Sequence, residues 1–178
     1  MRIENPVKRL LMTLTQGVYV VGVTDDGANN AFTAAAVMQV SLNPPMLAVA
    51  VNPANASYPL LVAGGIFAVT VLRSDQRDVA GLFGTRSAHD GDKLHEVPWH
   101  ASPGGAPVLD AGLSYLDCRV MSKHPAGDHV VILAEVTAGD FLQPEGRPLR
   151  YDELGDLDGS DALLPDHLGA TPRTGPVG

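Results

Sequence analysis

Residues 31–51, AFTAAAVMQVSLNPPMLAVAV, contain the pattern that decides the fold. Two apolar runs, residues 31–37 and 46–51, flank SLNPP, whose two prolines lack amide donors and push the preceding residues into extended geometry. Thr33 is followed by three alanines, whose methyl groups leave the main chain accessible to a flat ligand. The residue types predict a strand pair joined by a turn, and they leave open whether it packs a core or lines a ligand site.

Further apolar runs on both sides of this pair predict more strands, because β-branched residues favour a pleated, half-buried surface. The turn-forming TDDGANN at residues 24–30 predicts an antiparallel hairpin between the runs that flank it. Short strands, tight turns and few helices are typical of a barrel. The additional predicted strands are residues 18–23, 66–72, 113–120 and 129–136.

Two of these runs indicate how their faces are covered. In residues 113–120, LSYLDCRV, apolar and polar side chains alternate, which predicts Cys118 in the core and Asp117 on a polar face. Residues 130–134 do not alternate, and this predicts a strand that is covered on both faces.

Three short helices are predicted from capping residues and helical spacing. Asn5 and Pro6 favour a helix over residues 5–14 with an apolar face. Glycines at the end of residues 57–63 favour a second helix, and Ser74 as a cap favours a third over residues 74–83.

Length and composition favour one domain over residues 1–168, followed by a weakly ordered tail over residues 169–178. The net charge is −8, and residues 140–166 hold eight acids against two arginines, a net of −6. Such acidity argues against nucleic-acid binding. No apolar stretch is long enough to cross a membrane, and the charged N-terminal residues do not form a signal peptide, so a cytoplasmic location is expected.

The common nucleotide and catalytic motifs are absent: no phosphate loop, no GxGxxG after a strand, no GxSxG and no HExxH. Residues 89–100, HDGDKLHEVPWH, offer imidazole and carboxylate groups, but no helical register would converge them on a metal. They are therefore predicted to form a polar surface loop, and no metal site is expected. The candidate ligands considered are His89, Asp90, Asp92, His95, Glu96 and His100.

His129 stands in a Gly-Asp-His triplet directly before an apolar strand. Taken alone, it has two readings: a strand-end residue paired with Asp128 in a turn, or a titratable group of a functional site.

The order of these segments resembles the flavin reductase family. The resemblance rests on the small-residue strand before SLNPP, Phe83 and the Gly-Asp-His triplet, and it covers about three quarters of the chain. It implies a mainly β fold, the FMN-binding split barrel of Greek-key type with a few short helices, and a homodimer. It also implies an NAD(P)H:flavin oxidoreductase that uses FMN or FAD with NADH or NADPH as donor and supplies reduced flavin to a partner monooxygenase.

The resemblance also implies roles for individual residues. His129 would be the catalytic residue beside the nicotinamide, with Tyr151 nearby, and Arg86 would pair with the flavin phosphate. The residues implied to bind the cofactor are Thr33, Ala34, Ala35, Ala36, Ala50, Val51, Asn52, Ala56, Ser57, Phe83, Thr85 and Arg86.

Two departures from the family pattern keep alternatives open. The family often has serines where this chain has residues 34–36, so flavin binding is expected to be looser. After Tyr151 the chain turns acidic, where family members have a glycine turn and another aromatic residue. A non-catalytic split-barrel carrier that holds flavin or haem is the main alternative, and a dimeric scaffold without cofactor is a weaker one.

Overall fold

The computed structural model describes residues 5–85, 92–157, 160 and 163–169. The strands are β1 Tyr19–Asp25, β2 Ala28–Ala34, β3 Val37–Leu42, β4 Pro45–Val51, β5 Ile66–Val71, β6 Trp99–Ala101, β7 Pro107–Leu109, β8 Ser114–Ala126 and β9 His129–Phe141. Seven of them form one antiparallel sheet in the order β2-β1-β5-β8-β9-β4-β3, which makes up most of the molecule, and β6 and β7 form a separate hairpin. The α-helices are α1 Pro6–Leu11, α2 Tyr58–Gly64 and α3 Arg77–Thr85.

The predicted hairpin between the first two strands is confirmed: β1 pairs antiparallel with β2 from Tyr19↔Ala34 to Asp25↔Ala28. Asp26 and Gly27 both have positive φ, 45° and 82°, as the tight turn requires. This register fixes where the small-residue run lies, because Thr33 and Ala34 occupy the end of β2.

The strand predicted over residues 31–37 lies three residues earlier in the chain, and one strand was missed. β2 ends at Ala34, and the chain then leaves β1 and continues as β3, which pairs with β4. Ala35 and Ala36 form the step between the two strands, where the Ala50 amide donates to the Ala36 carbonyl at 3.0 Å. Because the chain changes its pairing partner at this step, residue 37 was assigned to the preceding strand and residues 38–42 were predicted to be part of the turn before residue 46.

Three apolar clusters fill the interior. One lies inside the sheet around Val21, Phe67 and Ile132, the second packs α3 against the sheet through Phe83 and Leu72, and a small third one packs the β6–β7 hairpin against β5. The prediction that Cys118 is a core residue is confirmed, since its side chain is fully buried. Burial raises the pKa of its thiol to about 12, so the thiol stays protonated near neutral pH.

The prediction that Asp117 lies on an exposed polar face is wrong. Its side chain is 2% exposed. The loop of the β6–β7 hairpin covers that face: the Ser102 hydroxyl and the Gly104 amide each donate to the Asp117 carboxylate at 2.7 Å. Strand alternation does not reveal this cover, because the hairpin lies more than ten residues away along the chain.

The prediction that residues 130–134 are covered on both faces is also wrong for the single chain. Ile132 and Ala134 are fully buried, but Val131 and Leu133 on the opposite face are only half-buried. The strand therefore alternates in burial although its sequence is uniformly apolar.

The three helices exist, with different bounds. α1 ends at Leu11, and its apolar side is mostly uncovered in the single chain: Val7 is buried, whereas Leu10 and Leu11 are exposed, as is Leu14 after the helix. α2 begins at Tyr58 and is closed by Gly65 in the left-handed conformation, φ 68°. α3 begins at Arg77, three residues after the expected cap. In the ranges that the structure describes, no helix is long and apolar enough to cross a membrane.

Residues 147–157, here called the C-terminal strap, fold back onto the start of the sheet. Val18 donates to the Leu149 carbonyl at 2.9 Å, and Leu149 donates to Leu72 at 2.8 Å. Leu149 is 1% exposed, so the strap is anchored in the core although its sequence lacks apolar periodicity. The domain bounds 1–168 and 169–178 remain predictions, and residues 170–178 lie outside the described residues.

Candidate functional site

A cavity of about 290 Å³ opens where β2 ends, β4 ends, β9 begins and the strap passes. It brings together eight of the predicted site residues: Thr33, Ala34, Ala35, Ala36, Ala50, Val51, Asn52 and Tyr151, with His129 as a ninth. The small-residue run therefore lines an open cleft beside the imidazole. The cavity is also lined by residues that sequence reasoning missed, namely Phe32, Asn55, Ala80, Gly84, Leu154 and Leu157.

Thr33 connects the small-residue run to α3. Its hydroxyl donates to the Ala80 carbonyl at 2.7 Å. A Cβ placed on Gly84 would lie only 3.4 Å from the Thr33 side chain, so α3 approaches β2 closely at this point. The hydroxyl therefore positions α3, and a ligand in the cavity meets the main chain and methyl groups of the run.

Two asparagines after β4 use their carbonyl oxygens in local turns. The Asn52 side-chain oxygen accepts from the Ala54 amide, and the Asn55 oxygen accepts from the Ser57 amide, each at 2.9 Å. These bonds fix both carboxamides at the cavity edge, with the NH₂ groups as donors. The sequence NPANAS contains this turn signal, which would have identified Asn55 as a neighbour of Asn52.

A second cavity of about 230 Å³ adjoins the first, and the two share Phe32, Asn55 and Gly84 in their linings. Four more of the predicted residues line it: Ala56, Ser57, Phe83 and Thr85. Ser57 makes no side-chain hydrogen bond that caps α2, whereas the Thr85 hydroxyl donates back to the Gly81 carbonyl at 2.7 Å. Phe83 is a buried residue that reaches this cavity and not the first. Arg86 lies outside the described residues.

Lys93 also lines the second cavity, and sequence reasoning missed it. Lys93 is only 4% exposed, and its Nζ lies 5.6 Å from the centroid of the Phe83 ring. It sits at the start of the 3₁₀ turn Lys93–Glu96, within the segment that was interpreted as a surface loop. No local sequence pattern marks it, because its burial depends on α3.

His129 and Asp128 form a close pair at the start of β9. The His129 Nδ1 lies 2.7 Å from an Asp128 carboxylate oxygen, and the histidine hydrogen bond lowers the pKa of Asp128. An ionised carboxylate only accepts, so Nδ1 carries the proton and Nε2 remains for a ligand. His129 therefore pairs with Asp128 in the turn, and its side chain also lines the first cavity.

The strap supplies the remaining wall of the first cavity through Tyr151, Leu154 and Leu157. The Arg77 guanidinium donates to the Leu154 carbonyl from Nε at 3.0 Å and from Nη2 at 2.7 Å. Arg147 donates to both carboxylate oxygens of Glu153, which lowers the pKa of Glu153 to about 2. Arginines hold both sides of this wall in place.

The segment predicted as a polar loop contains more regular structure than expected. Asp92 accepts from the Leu94 amide at 3.0 Å and starts the 3₁₀ turn, and β6 begins at Trp99. His100 pairs with Asp110 on β6–β7's edge rather than with the other candidate ligands. Among the described residues, no group of three or more His, Cys, Asp or Glu could hold a metal. His89 and Asp90 lie outside the described residues.

Comparison with known proteins identifies the family. A model of the flavin reductase like domain matches residues 11–156. The chain is 33% identical over 135 residues to the reductase subunit HsaB of a flavin-dependent monooxygenase from Rhodococcus jostii, covering 76% of this chain and 67% of the relative. It is 32% identical over 180 residues to the FMN reductase (NADH) RutF of Methylorubrum extorquens, covering 96% and 87%.

The same likeness holds for solved structures. The NADH:FAD oxidoreductase SgcE6 of Streptomyces globisporus superposes with a TM-score of 0.76 at 26% identity, covering 83% of this chain and 87% of that one. The predicted fold class, a mainly β split barrel with a few short helices, is confirmed. The names of two of these relatives, an FMN reductase (NADH) and an NADH:FAD oxidoreductase, agree with the flavin and the nicotinamide expected from the resemblance. With residues 11–156 matched, the chain belongs to the flavin reductase like family.

Proposed function

We propose that the two adjoining cavities are the flavin site of an NAD(P)H:flavin oxidoreductase. The observation that carries this proposal is that the methyl-lined run and His129 line one open cavity, although they are almost a hundred residues apart in sequence. Flavin, when bound, supplies the redox chemistry by accepting a hydride from nicotinamide. The protein then needs to bind and orient two flat rings, so the absence of an acid–base pair from the sequence motifs is expected.

The residues at the end of β2 and the end of β4 are proposed to hold the flavin. Thr33 and the three alanines present main chain to the edge of the ring, because their side chains are too short to cover it. Asn52 and Asn55 are fixed by their own turns, and their NH₂ groups are proposed as donors, that of Asn52 in the first cavity and that of Asn55 where the two cavities adjoin. Ala56, Ser57 and Thr85 line the far end, where the phosphate is proposed to lie.

His129 is proposed as the residue that meets the nicotinamide, with Tyr151 on the opposite wall. The hydrogen bond from Nδ1 to Asp128 restrains the ring, and Nε2 is proposed as the atom that meets the donor. A fixed imidazole orients the donor ring, and orientation raises the rate of a reaction between two bound groups.

The test is NADH oxidation by the purified protein with excess FMN or FAD, compared between wild type, His129→Ala and His124→Ala. His124 is exposed on the same β8–β9 hairpin and lines neither cavity, so it serves as the matched control. We expect kcat/KM for NADH to fall roughly tenfold or more in His129→Ala, as for the loss of one oriented contact. Equal rates for both variants would remove His129 from the site, and no oxidation above a blank by wild type would remove the function.

Reduced flavin is proposed to pass to a separate monooxygenase, as the name of the HsaB relative implies for that protein. Residues 34–36 support release, because alanines offer no hydroxyl contacts to the ring. Colour after dialysis measures this: a releasing reductase loses its yellow flavin, and retained colour contradicts the proposal.

A homodimer is proposed from the edge of the sheet. β3 is an edge strand, and its side chains Met38, Val40 and Leu42 are exposed, Leu42 by 81%. Exposed apolar edge strands are normally covered, and a second copy would bury this one. Sedimentation equilibrium tests this, with a monomeric mass as the contrary result.

The cytoplasmic location expected from the sequence stays a prediction.

A further inference from the structure

The two halves of the C-terminal strap are attached to the molecule in different ways. In residues 147–151, main-chain hydrogen bonds join the strap to the sheet, for example from the Leu149 amide to the Leu72 carbonyl at 2.8 Å. In residues 152–157, the main-chain bonds seen among the described residues stay within the strap. The second half therefore depends on side chains for its attachment.

A pair of hydrogen bonds from one arginine attaches this second half to α3. The Arg77 guanidinium, at the start of α3, donates to the Leu154 carbonyl from Nε at 3.0 Å and from Nη2 at 2.7 Å. That carbonyl follows the 3₁₀ turn Tyr151–Glu153, where a cationic side chain satisfies a carbonyl that the turn leaves open. Hydrogen bonds from a charged donor are stronger than bonds between neutral groups.

Glycines on both sides shape this contact. Gly155 has a φ of 59°, and a Cβ there would lie 3.0 Å from the Nη2 atom of Arg77, so the guanidinium packs directly over this glycine. On α3, a Cβ on Gly81 would lie 3.5 Å from the methyl groups of Leu157. The strap and α3 therefore approach each other closely at two successive points.

The contact holds a wall of the first cavity. Tyr151, Leu154 and Leu157 line that cavity, and Leu154 is 5% exposed. Arg77 is an exposed residue that lines neither cavity. It can act on a ligand only through Leu154, which makes it a positioning residue.

We propose that Arg77 fixes the second half of the strap against the flavin ring and thereby sets the rate at which flavin leaves the first cavity. This inference rests on the proposed function, because it assumes that the first cavity holds the ring. When both bonds to the Leu154 carbonyl break, residues 152–157 can move away from α3, and the ring loses its contacts on that side. Changes at a binding surface alter mainly the dissociation rate.

The experiment measures the dissociation rate constant of FMN by stopped-flow fluorescence for wild type, Arg77→Met and the control Arg119→Met. Arg119 is an arginine on β8 that pairs with Glu135 and lines neither cavity. In Arg77→Met we expect FMN to leave about tenfold faster or more, the effect of losing charge-assisted hydrogen bonds. Arg119→Met should stay within about twofold of wild type, as for an exposed pair.

Two further readouts distinguish positioning from a general loss of structure. Arg77→Lys keeps a charged donor, so its FMN dissociation rate should lie between those of wild type and Arg77→Met. In steady state, Arg77→Met should raise the KM for FMN by a larger factor than it changes kcat.

Gly155→Ala disturbs the same contact from the strap, because its Cβ displaces the guanidinium. FMN should again leave faster. Gly27→Ala is the matched control, since Gly27 has a φ of 82° and nothing lies within 4 Å of its Cβ position. In the double variant with Arg77→Met, the increase should be smaller than the product of the single effects, because both changes break one contact.

Other outcomes overturn the inference. An unchanged FMN dissociation rate in Arg77→Met would do so, as would an equal change in Arg119→Met. A fall in kcat that follows the loss of folded protein, with FMN dissociation unchanged, would make Arg77 a structural residue. A raised KM for NADH alone would assign the wall to the nicotinamide.

The inference and the proposed function fail in different ways. If wild type oxidises no NADH with any flavin, the function is wrong. If wild type oxidises NADH and Arg77→Met releases FMN at the wild-type rate, the function stands and only the role of Arg77 is wrong.

Discussion

Two polar regions of the molecule, one under the β6–β7 hairpin and one at the cavities, use their hydrogen bonds in opposite ways. At the β6–β7 hairpin, Asp117 accepts from Ser102 and from the Gly104 amide, and the Ser102 hydroxyl also accepts from Ala106. At the cavities, by contrast, the Asn55 side chain uses its carbonyl oxygen in a turn and keeps its NH₂ group for other contacts. The Ser57 side chain does not cap α2.

The difference separates structural from ligand-binding polar groups. A cluster whose donors and acceptors satisfy each other holds two segments together and has nothing left for a ligand. Groups that are fixed on one side only keep a donor for a ligand. The predictions below change one region at a time and ask whether stability or ligand binding responds.

The largest expected effect is on the closed cluster. Asp117→Ala leaves the buried Ser102 hydroxyl without its acceptor and removes the hydrogen bond from the Gly104 amide, and an unsatisfied buried group costs free energy. We expect the free energy of unfolding to fall by about 3 kcal/mol in urea titrations. The flavin dissociation constant of the folded fraction should stay unchanged.

Asp110→Ala is the matched control, because Asp110 pairs with His100 at the exposed edge of the same hairpin. Exposed pairs contribute little, so the loss should stay below about 1 kcal/mol. A similar loss in both variants would contradict the role assigned to the buried carboxylate.

The second prediction concerns the open region. Ala36 is exposed and lines the first cavity, and a leucine there fills space that the flavin ring needs. We expect Ala36→Leu to weaken FMN binding about tenfold or more, as a steric clash in a pocket does, with the unfolding free energy changed by less than about 0.5 kcal/mol.

Ala36→Ser provides the comparison for that variant, because serine stays small and adds a hydroxyl. FMN binding, measured by fluorescence quenching, should stay within about fivefold of wild type and become tighter. Weaker binding by serine than by leucine would show that residue 36 does not face the ligand.

The smallest expected effect is on the wall of the cavity. Arg147 lowers the pKa of Glu153 to about 2, from an ordinary value of 4.5. A lowered carboxyl pKa stabilises the folded state above the ordinary value, and this stabilisation disappears as the pH falls toward 2. The melting temperature of wild type should therefore exceed that of Glu153→Gln near neutral pH, and the difference should shrink with acidification.

Glu145→Gln tests whether that change belongs to the salt bridge. Glu145 is an exposed glutamate shortly before the strap. The melting temperature of Glu145→Gln should differ little from that of wild type, and this difference should stay constant between neutral and acidic pH. A difference that grows in acid for Glu153→Gln would contradict the assigned pKa.

Much of the fold could be predicted because it rests on local patterns. The hairpin at residues 24–30, the strands around it and α2 with its terminal glycines follow from turn residues and apolar runs. β3 was missed because the strand signal continues through Ala35 and Ala36, where the chain changes its pairing partner. A change of partner leaves no mark in hydrophobic periodicity.

The residues of the candidate site could be predicted only where the resemblance to the family implied them. The small-residue run and His129 were identified from their sequence context, and the structure brings them to one cavity. Lys93 and Leu154 were missed, because one depends on burial by α3 and the other on an arginine 77 residues away in the chain.

The sequence by itself determined the strand-rich class, the first hairpin, the family and the small-residue stretch that lines the first cavity, since each follows from patterns within contiguous residues. Tertiary structure alone decided that Asp117 is closed off by a hairpin loop, that Lys93 faces a cavity and that the strap completes a wall. The physical reason is that burial and hydrogen-bond partners belong to pairs of segments, and a side chain of the same type is exposed or enclosed according to what packs over it.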